Sequence, residues 1–260
     1  MKRSPRATPH LFGHWQGIAG RIRAKRRVVV FLDFDGTLTA IAARPDRVRV
    51  KPAMRKALRA LAKHKRATVA VVSGRQRSEL KRYLAIPNLR HLGLYGWERS
   101  GNETIAPATR VALFRAHVLL LKELSAFPGV WIEPKSSSFS IHLLNAKRKV
   151  RRHTRMAVRR LLRRFTGTLQ IFENLRDMEV SPAQMPDKGD AVRRLLGQRG
   201  RRGALSFFFG DDFSDEPAFA AVRGGVSVLV GKLRSTRAKF RLRNPDEVAI
   251  ALQKIEEALR

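Results

Sequence analysis

The most constraining stretch is residues 28–38, VVVFLDFDGTL. Five apolar residues run unbroken into Asp33, Phe34, Asp35, Gly36 and Thr37. An apolar run of strand length that ends in glycine reads as a strand buried on both faces of a parallel sheet. Open α/β sheets place their ligands at the carboxyl ends of their strands, where these two aspartates stand. Two positions apart on a regular strand, both point to one side, so both can reach one metal ion or one phosphate. Gly36 allows the chain to leave the strand sharply.

The same pattern recurs. Residues 67–72 (ATVAVV) run into Ser73, Gly74 and Arg75, and residues 204–209 (ALSFFF) run into Gly210, Asp211, Asp212 and then Asp215. Further strands are predicted at 89–94 and 226–230. Helices are predicted after Pro52 (apolar at Met54, Leu58, Leu61 and Ala62) and over 76–84, 190–196, 217–222 and 245–259. Strands alternating with helices at this spacing predict a parallel sheet with crossover helices.

Near residue 106 the texture changes. A helix is predicted over 108–127, with apolar positions at Val111, Phe114, Val118, Leu121 and Leu124. Alternating segments at 130–133 and 138–143 read as half-buried antiparallel strands. A helix over 147–164 carries ten Lys or Arg and no acid. Short strands at 169–172 and 178–180 close the block. The fold class is therefore α/β: a parallel-sheet core, 28–105 with 184–260, interrupted by a smaller α/β domain at 106–183. Residues 1–27 form a basic N-terminal segment. Its first ten residues are expected to be disordered, and Phe12, Trp15, Ile18 and Ile22 mark a short helix.

Composition narrows the classes. With no cysteine among 260 residues, disulfides, thiol catalysis and cysteine-bound zinc are excluded, and a cytoplasmic location is expected. No apolar run is long enough to span a bilayer, and no membrane partner is expected. Lys and Arg number 54 against 21 Asp and Glu, a net charge of +33. Such a surface attracts polyanions non-specifically, but no sequence-reading nucleic-acid motif accompanies it, so specific nucleic-acid binding is not expected.

The strand ends carry the chemistry. Asp33 and Asp35, Ser73 and Gly74, and Asp211, Asp212 and Asp215 converge if their strands are neighbours, and Lys188 precedes the last strand. Clustered carboxylates repel unless a cation offsets them. With only oxygen donors and no histidine or cysteine, magnesium suits the set better than zinc. A metal, Lys188 and the Ser73 hydroxyl together would neutralise phosphate oxygens, the main need of phosphoryl transfer. Asp33 is placed to attack phosphorus and Asp35 to move the proton.

Asp33-x-Asp35-Gly36-Thr37-Leu38, the serine ending the second strand, the isolated lysine and the late Gly-Asp-Asp resemble the haloacid-dehalogenase-like phosphatase superfamily. SGR at 73–75, GLYGWE at 93–98, EPK at 133–135, His142, GDDFSDE at 210–216, and GGVSVLVG at 224–231 followed by Thr236-Arg237-Ala238 resemble, more narrowly, the trehalose-6-phosphate phosphatase family. That resemblance implies a Rossmann-like catalytic core with an inserted α/β cap. It implies Asp33 as nucleophile and Asp35 as general acid and base. Mg2+ would be held by Asp33, the Asp35 backbone carbonyl and Asp211, with Asp212 and Asp215 shaping the surroundings. Ser73, Gly74 and Lys188 would grip phosphate, and Arg75, Glu133, Lys135 and Glu179 would serve the substrate, a small sugar phosphate. Four positions depart from the family pattern, Ser214 standing where Thr is usual. Leu143 and Leu144 follow His142 where Tyr and Arg are usual, and Ser181 replaces an arginine. Sucrose phosphate and glucosylglycerol phosphate therefore stand as alternative substrates, and a basic nucleic-acid binder on the same fold as a further alternative.

Overall fold

Strand β1 (Val28–Leu32) occupies the interior of a six-stranded sheet of order β10-β9-β8-β1-β2-β3, in which every pairing is parallel. Its neighbours are β2 (Ala67–Val72) and β8 (Leu205–Gly210), followed outward by β3 (Arg90–Leu92) on one side and by β9 (Val226–Val230) and β10 (Phe240–Leu242) on the other. The structure is a computed structural model that describes residues 8–42, 47–98, 105–173, 177–198, 203–222 and 224–260. All five β1 side chains are buried, as an unbroken apolar run requires of a strand covered on both faces. Val28, Val30 and Leu32 pack in one layer with residues of α1 (Trp15–Ala24), α2 (Pro52–Lys63), α3 (Arg77–Tyr83) and α8 (Pro245–Leu259). Val29 and Phe31 pack in the other, with α6 (Lys188–Gly197) and α7 (Glu216–Ala221).

The chain divides into two compact units, Met1–Gly101 with Pro186–Arg260, and Asn102–Met185. The smaller unit holds α4 (Pro107–Leu124), α5 (Arg148–Leu162) and an antiparallel sheet of order β4-β5-β7-β6. Its strands are β4 (Trp131–Pro134), β5 (Phe139–His142), β6 (Leu169–Glu173) and β7 (Asp177–Pro182). One face of that sheet, with Phe139, Ile141, Met178 and Val180, is buried. The other carries polar residues in register, Glu133 opposite Ser140 and Ser140 opposite Glu179. No helix among the described residues is long and apolar enough to cross a membrane.

Two expectations change. Of the ten residues expected to be disordered, 1–7 lie outside the described residues and 8–10 are held: Arg241 N donates to Pro9 O at 2.9 Å, and His10 Nε2 lies 2.9 Å from Glu247 Oε2. The apolar row read from α4 is also largely the wrong face. Thr109, Leu113, Ala116, Leu120 and Leu124 are buried, whereas Val111, Phe114, Val118 and Leu121 are exposed. This helix is apolar around most of its girth, so periodicity offers two stripes and only packing selects one. Strand β10 also escaped the sequence reading, because three residues of mixed character carry no period.

Candidate active site

Parallel register brings the strand ends together. Leu32 lies level with Val71 on β2 and with Phe209 on β8, so Asp33 emerges between Ser73 and Asp211. The Asp33 amide still donates to Phe209 O at 2.9 Å, which extends the β8 ladder by one step and holds the carboxylate. Asp33 is 5 % exposed.

Lys188 begins α6. Asp187 caps that helix: its Oδ1 accepts from Asp190 N at 2.8 Å, while Asp190 Oδ2 accepts from Asp187 N at 3.1 Å. This reciprocal capping box fixes the direction of the first turn. The Lys188 ammonium then donates to Asp33 Oδ1 and to Asp215 Oδ1, both at 2.7 Å. Burial works against its charge, but Asp215 and Asp33 outweigh burial and hold its pKa well above the ordinary lysine value.

Asp33, Asp211 and Asp215 present carboxylate oxygens within 4.8 Å of one another. Burial pushes the Asp33 pKa well above the ordinary carboxylate range; Lys188 pulls it back, and Asp215 and Asp211 push it up again. A single ammonium therefore leaves this group over-supplied with negative charge. The residues fit a hard divalent cation: all donors are oxygens and the charge balance calls for one. The fit extends to the backbone. At Gly36, with φ of +88°, a Cβ would run into the Asp211 carboxylate, so only glycine lets that side chain lie against the loop.

Asp35 is not part of the three-carboxylate group. Its side chain turns to Arg75, accepting from Nε at 2.7 Å and from Nη2 at 2.8 Å, and Arg75 Nη1 reaches Glu79 Oε1 at 3.2 Å. The ring of Phe34 lies under the Arg75 guanidinium, 5.2 Å from its centre. The residue read as a substrate contact thus has its guanidinium on Asp35 and Glu79. Ser73 Oγ accepts from Arg75 N at 3.2 Å, and a Cβ on Gly74 would meet the Tyr95 hydroxyl at 2.7 Å. Tyr95 itself adopts a left-handed conformation, φ +57°, a costly arrangement that packs its ring onto this turn. The sequence reading noted GLYGWE but gave Tyr95 no place there.

Asp212 and Asp215 form a second capping box. Asp212 Oδ1 accepts from Phe213 N at 2.6 Å, and Asp212 N donates to Asp215 Oδ2 at 2.9 Å. Asp215 therefore spends one oxygen on this turn and the other on Lys188, a closer involvement than the sequence suggested. Glu216 accepts from Arg234, from Thr236 Oγ1 at 2.7 Å and from Arg237 N at 2.8 Å, which binds the later loop to the same turn. A cavity of about 520 Å³ opens beside it, bounded by Phe213, Glu216, Pro217, Ser235, Thr236 and Arg237.

In the smaller unit, Glu179 is almost fully buried and accepts from Lys135 Nζ at 2.6 Å, from Ser140 Oγ at 2.5 Å and from Ser138 Oγ. Burial lowers the Lys135 pKa, but Glu179 outweighs it and the net shift is upward. Glu133 Oε2 lies 2.7 Å from His142 Nε2, and the His142 ring stacks on Trp131 at 3.9 Å. Leu144 is exposed and Ser181 is buried, and neither supplies the positive charge that the family pattern usually places there.

The fold is shared with solved phosphatases. The Candida albicans trehalose-6-phosphate phosphatase C-terminal domain superposes with a TM-score of 0.83 at 19% identity, covering 98% of this chain and 99% of that one. A haloacid dehalogenase-like hydrolase from Bacteroides thetaiotaomicron superposes with a TM-score of 0.61 at 16% identity, covering 88% and 99%. A parallel sheet whose central strand ends in a buried aspartate, backed by a lysine and two further acids, is the arrangement of a haloacid-dehalogenase-like phosphatase. The family model for trehalose-phosphatase matches residues 31–246. A trehalose-phosphate phosphatase from Mycobacterium avium is 33% identical over 277 residues, spanning 100% of this chain and 68% of that protein. The chain belongs to the trehalose-phosphatase family.

Proposed function

We propose that this chain hydrolyses trehalose 6-phosphate to trehalose and phosphate in the cytoplasm, with Mg2+ held by Asp33 and Asp211 beside Asp215. The observation that carries the reading is the Asp33 carboxylate at the tip of the central strand, bonded to Lys188 and grouped with Asp211 and Asp215. When bound, the magnesium ion supplies positive charge that offsets phosphate and carboxylate oxygens.

The chain's own groups divide the work. Lys188 neutralises charge at the attacking carboxylate and at the phosphate. An Asp33 oxygen bonds to phosphorus as the bond from phosphorus to the sugar oxygen breaks, giving an aspartyl phosphate. Asp35 gives its proton to the departing sugar oxygen. It then takes one from the water that attacks phosphorus, which frees phosphate and restores Asp33. Arg75 holds both Asp35 oxygens in the resting site and so positions the group, and one oxygen leaves the fork to carry the proton. Ser73 and Gly74 offer phosphate the hydroxyl and backbone of a tight turn, and Asp212 holds that of the acidic loop. Glu133, Lys135 and Glu179 present the sugar-recognising groups, because sites built to bond hydroxyls reject ligands that lack them.

A panel of sugar phosphates assayed for phosphate release with Mg2+, with EDTA and with Asp33→Asn tests the reading. Trehalose 6-phosphate is expected to be turned over fastest, and both EDTA and the variant to silence the reaction. Preference for sucrose phosphate or glucosylglycerol phosphate would retain the chemistry and overturn the sugar, a result to which Leu144 and Ser181 would then contribute. Silence on the whole panel would overturn the activity.

A further inference from the structure

Helix α4 has one apolar face too many. Leu113, Ala116, Leu120 and Leu124 go into the core of the smaller unit, yet Val111, Phe114, Val118 and Leu121 form a second row, spaced by three and four, that faces solvent. Phe114 is 68% exposed, and Met156 on the neighbouring helix α5 is 59% exposed. Single exposed apolar residues need no explanation, but a row along one helix marks a contact surface.

The charge around the row is of one sign. Arg115 and Lys122 are exposed on α4, and Lys149 and Arg152 on α5, which contains no acid. The nearby carboxylates are already taken: Glu123 accepts from Arg160 Nη2 at 2.6 Å, and Glu173 accepts from Arg159 Nε at 2.6 Å. The phosphatase chemistry uses neither the row nor the basic helix.

A second copy of the chain is a poor occupant, since each copy brings a net charge of +33. Nucleic acid would use the arginines but would leave most of a row that runs along a helix uncovered, because its apolar contacts are confined to single methyl groups and base steps. A lipid surface uses both: apolar side chains enter the acyl boundary, and Lys and Arg stretch their stems along it to reach anionic headgroups. We propose that the α4–α5 face of the smaller unit docks on an anionic bilayer surface. The sequence held no reason to expect such a partner, because the row was read there as core.

The test is co-sedimentation of the full chain with vesicles of phosphatidylglycerol and phosphatidylcholine, against phosphatidylcholine alone, over a salt series. Wild type is expected to bind the anionic vesicles and not the neutral ones, less strongly as salt rises. Phe114→Asp with Val118→Asp is expected to weaken vesicle binding more than about tenfold while phosphate release in solution is unchanged. Phe114→Ser with Val118→Ser serves if the charged pair disturbs folding, which the activity assay reveals. Lys149→Glu with Arg152→Glu is expected to weaken binding as well. No binding to anionic vesicles overturns the proposal, including the case in which an acidic protein or DNA binds instead. Equal binding by wild type and the α4 variants also overturns it, because the contact would then be adsorption of a polycation without the apolar row.

Discussion

Arg75 clasps Asp35 with two parallel hydrogen bonds, Nε to Oδ2 at 2.7 Å and Nη2 to Oδ1 at 2.8 Å. A guanidinium fork fits a carboxylate in one orientation only, and an ammonium cannot reproduce it. Arg75→Lys is therefore expected to lower kcat about 100-fold, the scale of a misplaced reacting group. Because Asp35 serves every substrate, p-nitrophenyl phosphate should lose as much as the sugar phosphate. A loss confined to KM for the sugar phosphate would make Arg75 a substrate contact instead.

Lys188 faces Asp33 and Asp215 with little solvent access, so its removal leaves two carboxylates buried without their cation. Lys188→Met is expected to cost about 3–5 kcal/mol of stability, read from denaturant melts. Asp33→Asn removes charge from a group that already holds too much of one sign, so it should melt no lower than wild type while losing turnover. A lower Tm for Asp33→Asn would contradict the charge balance.

Gly36→Ala puts a methyl group against the Asp211 carboxylate at a backbone angle of φ +88°. The strain should cost about 1–3 kcal/mol. A ligand that binds only the folded state raises Tm in proportion to its affinity. Titrating MgCl2 should raise the wild-type Tm, and the variant should need more metal for the same rise. An unchanged metal response would separate Asp211 from the metal.

The buried Lys135–Glu179 pair gives a pH signature. Glu179 holds the Lys135 pKa above its unfolded value, so the stabilisation is fully present below that value and is lost as pH rises through the folded one. The stability difference between wild type and Lys135→Met should stay level from neutral pH to about 10 and shrink above it. A difference that already falls between pH 6 and about 8 would point to another group.

Much of this was legible in the residues. Strand β1, both its aspartates and the late acidic loop announce themselves, because unbroken apolar runs cut by glycine have few other uses. The capping chemistry at Asp187 was not anticipated, although its i, i+3 spacing to Asp190 was in plain view. Glu133, Lys135 and Glu179 entered only through family resemblance. Their pairing across β4, β5 and β7 depends on strand register, which no local pattern encodes.

What the sequence determined by itself was the parallel core, the chain order of its helices and of its strands other than β10, and the carboxylates at the strand tips, because these follow from short-range periodicity and punctuation. What tertiary structure alone decided was which groups meet. Arg75 reaches back 40 residues to Asp35, Lys188 spans 155 to Asp33, and α4 turns Leu113 inward and Phe114 outward. Such choices depend on how sheets align and how helices pack on them. These are energies of contact between distant segments, and the chain does not express them until it is folded.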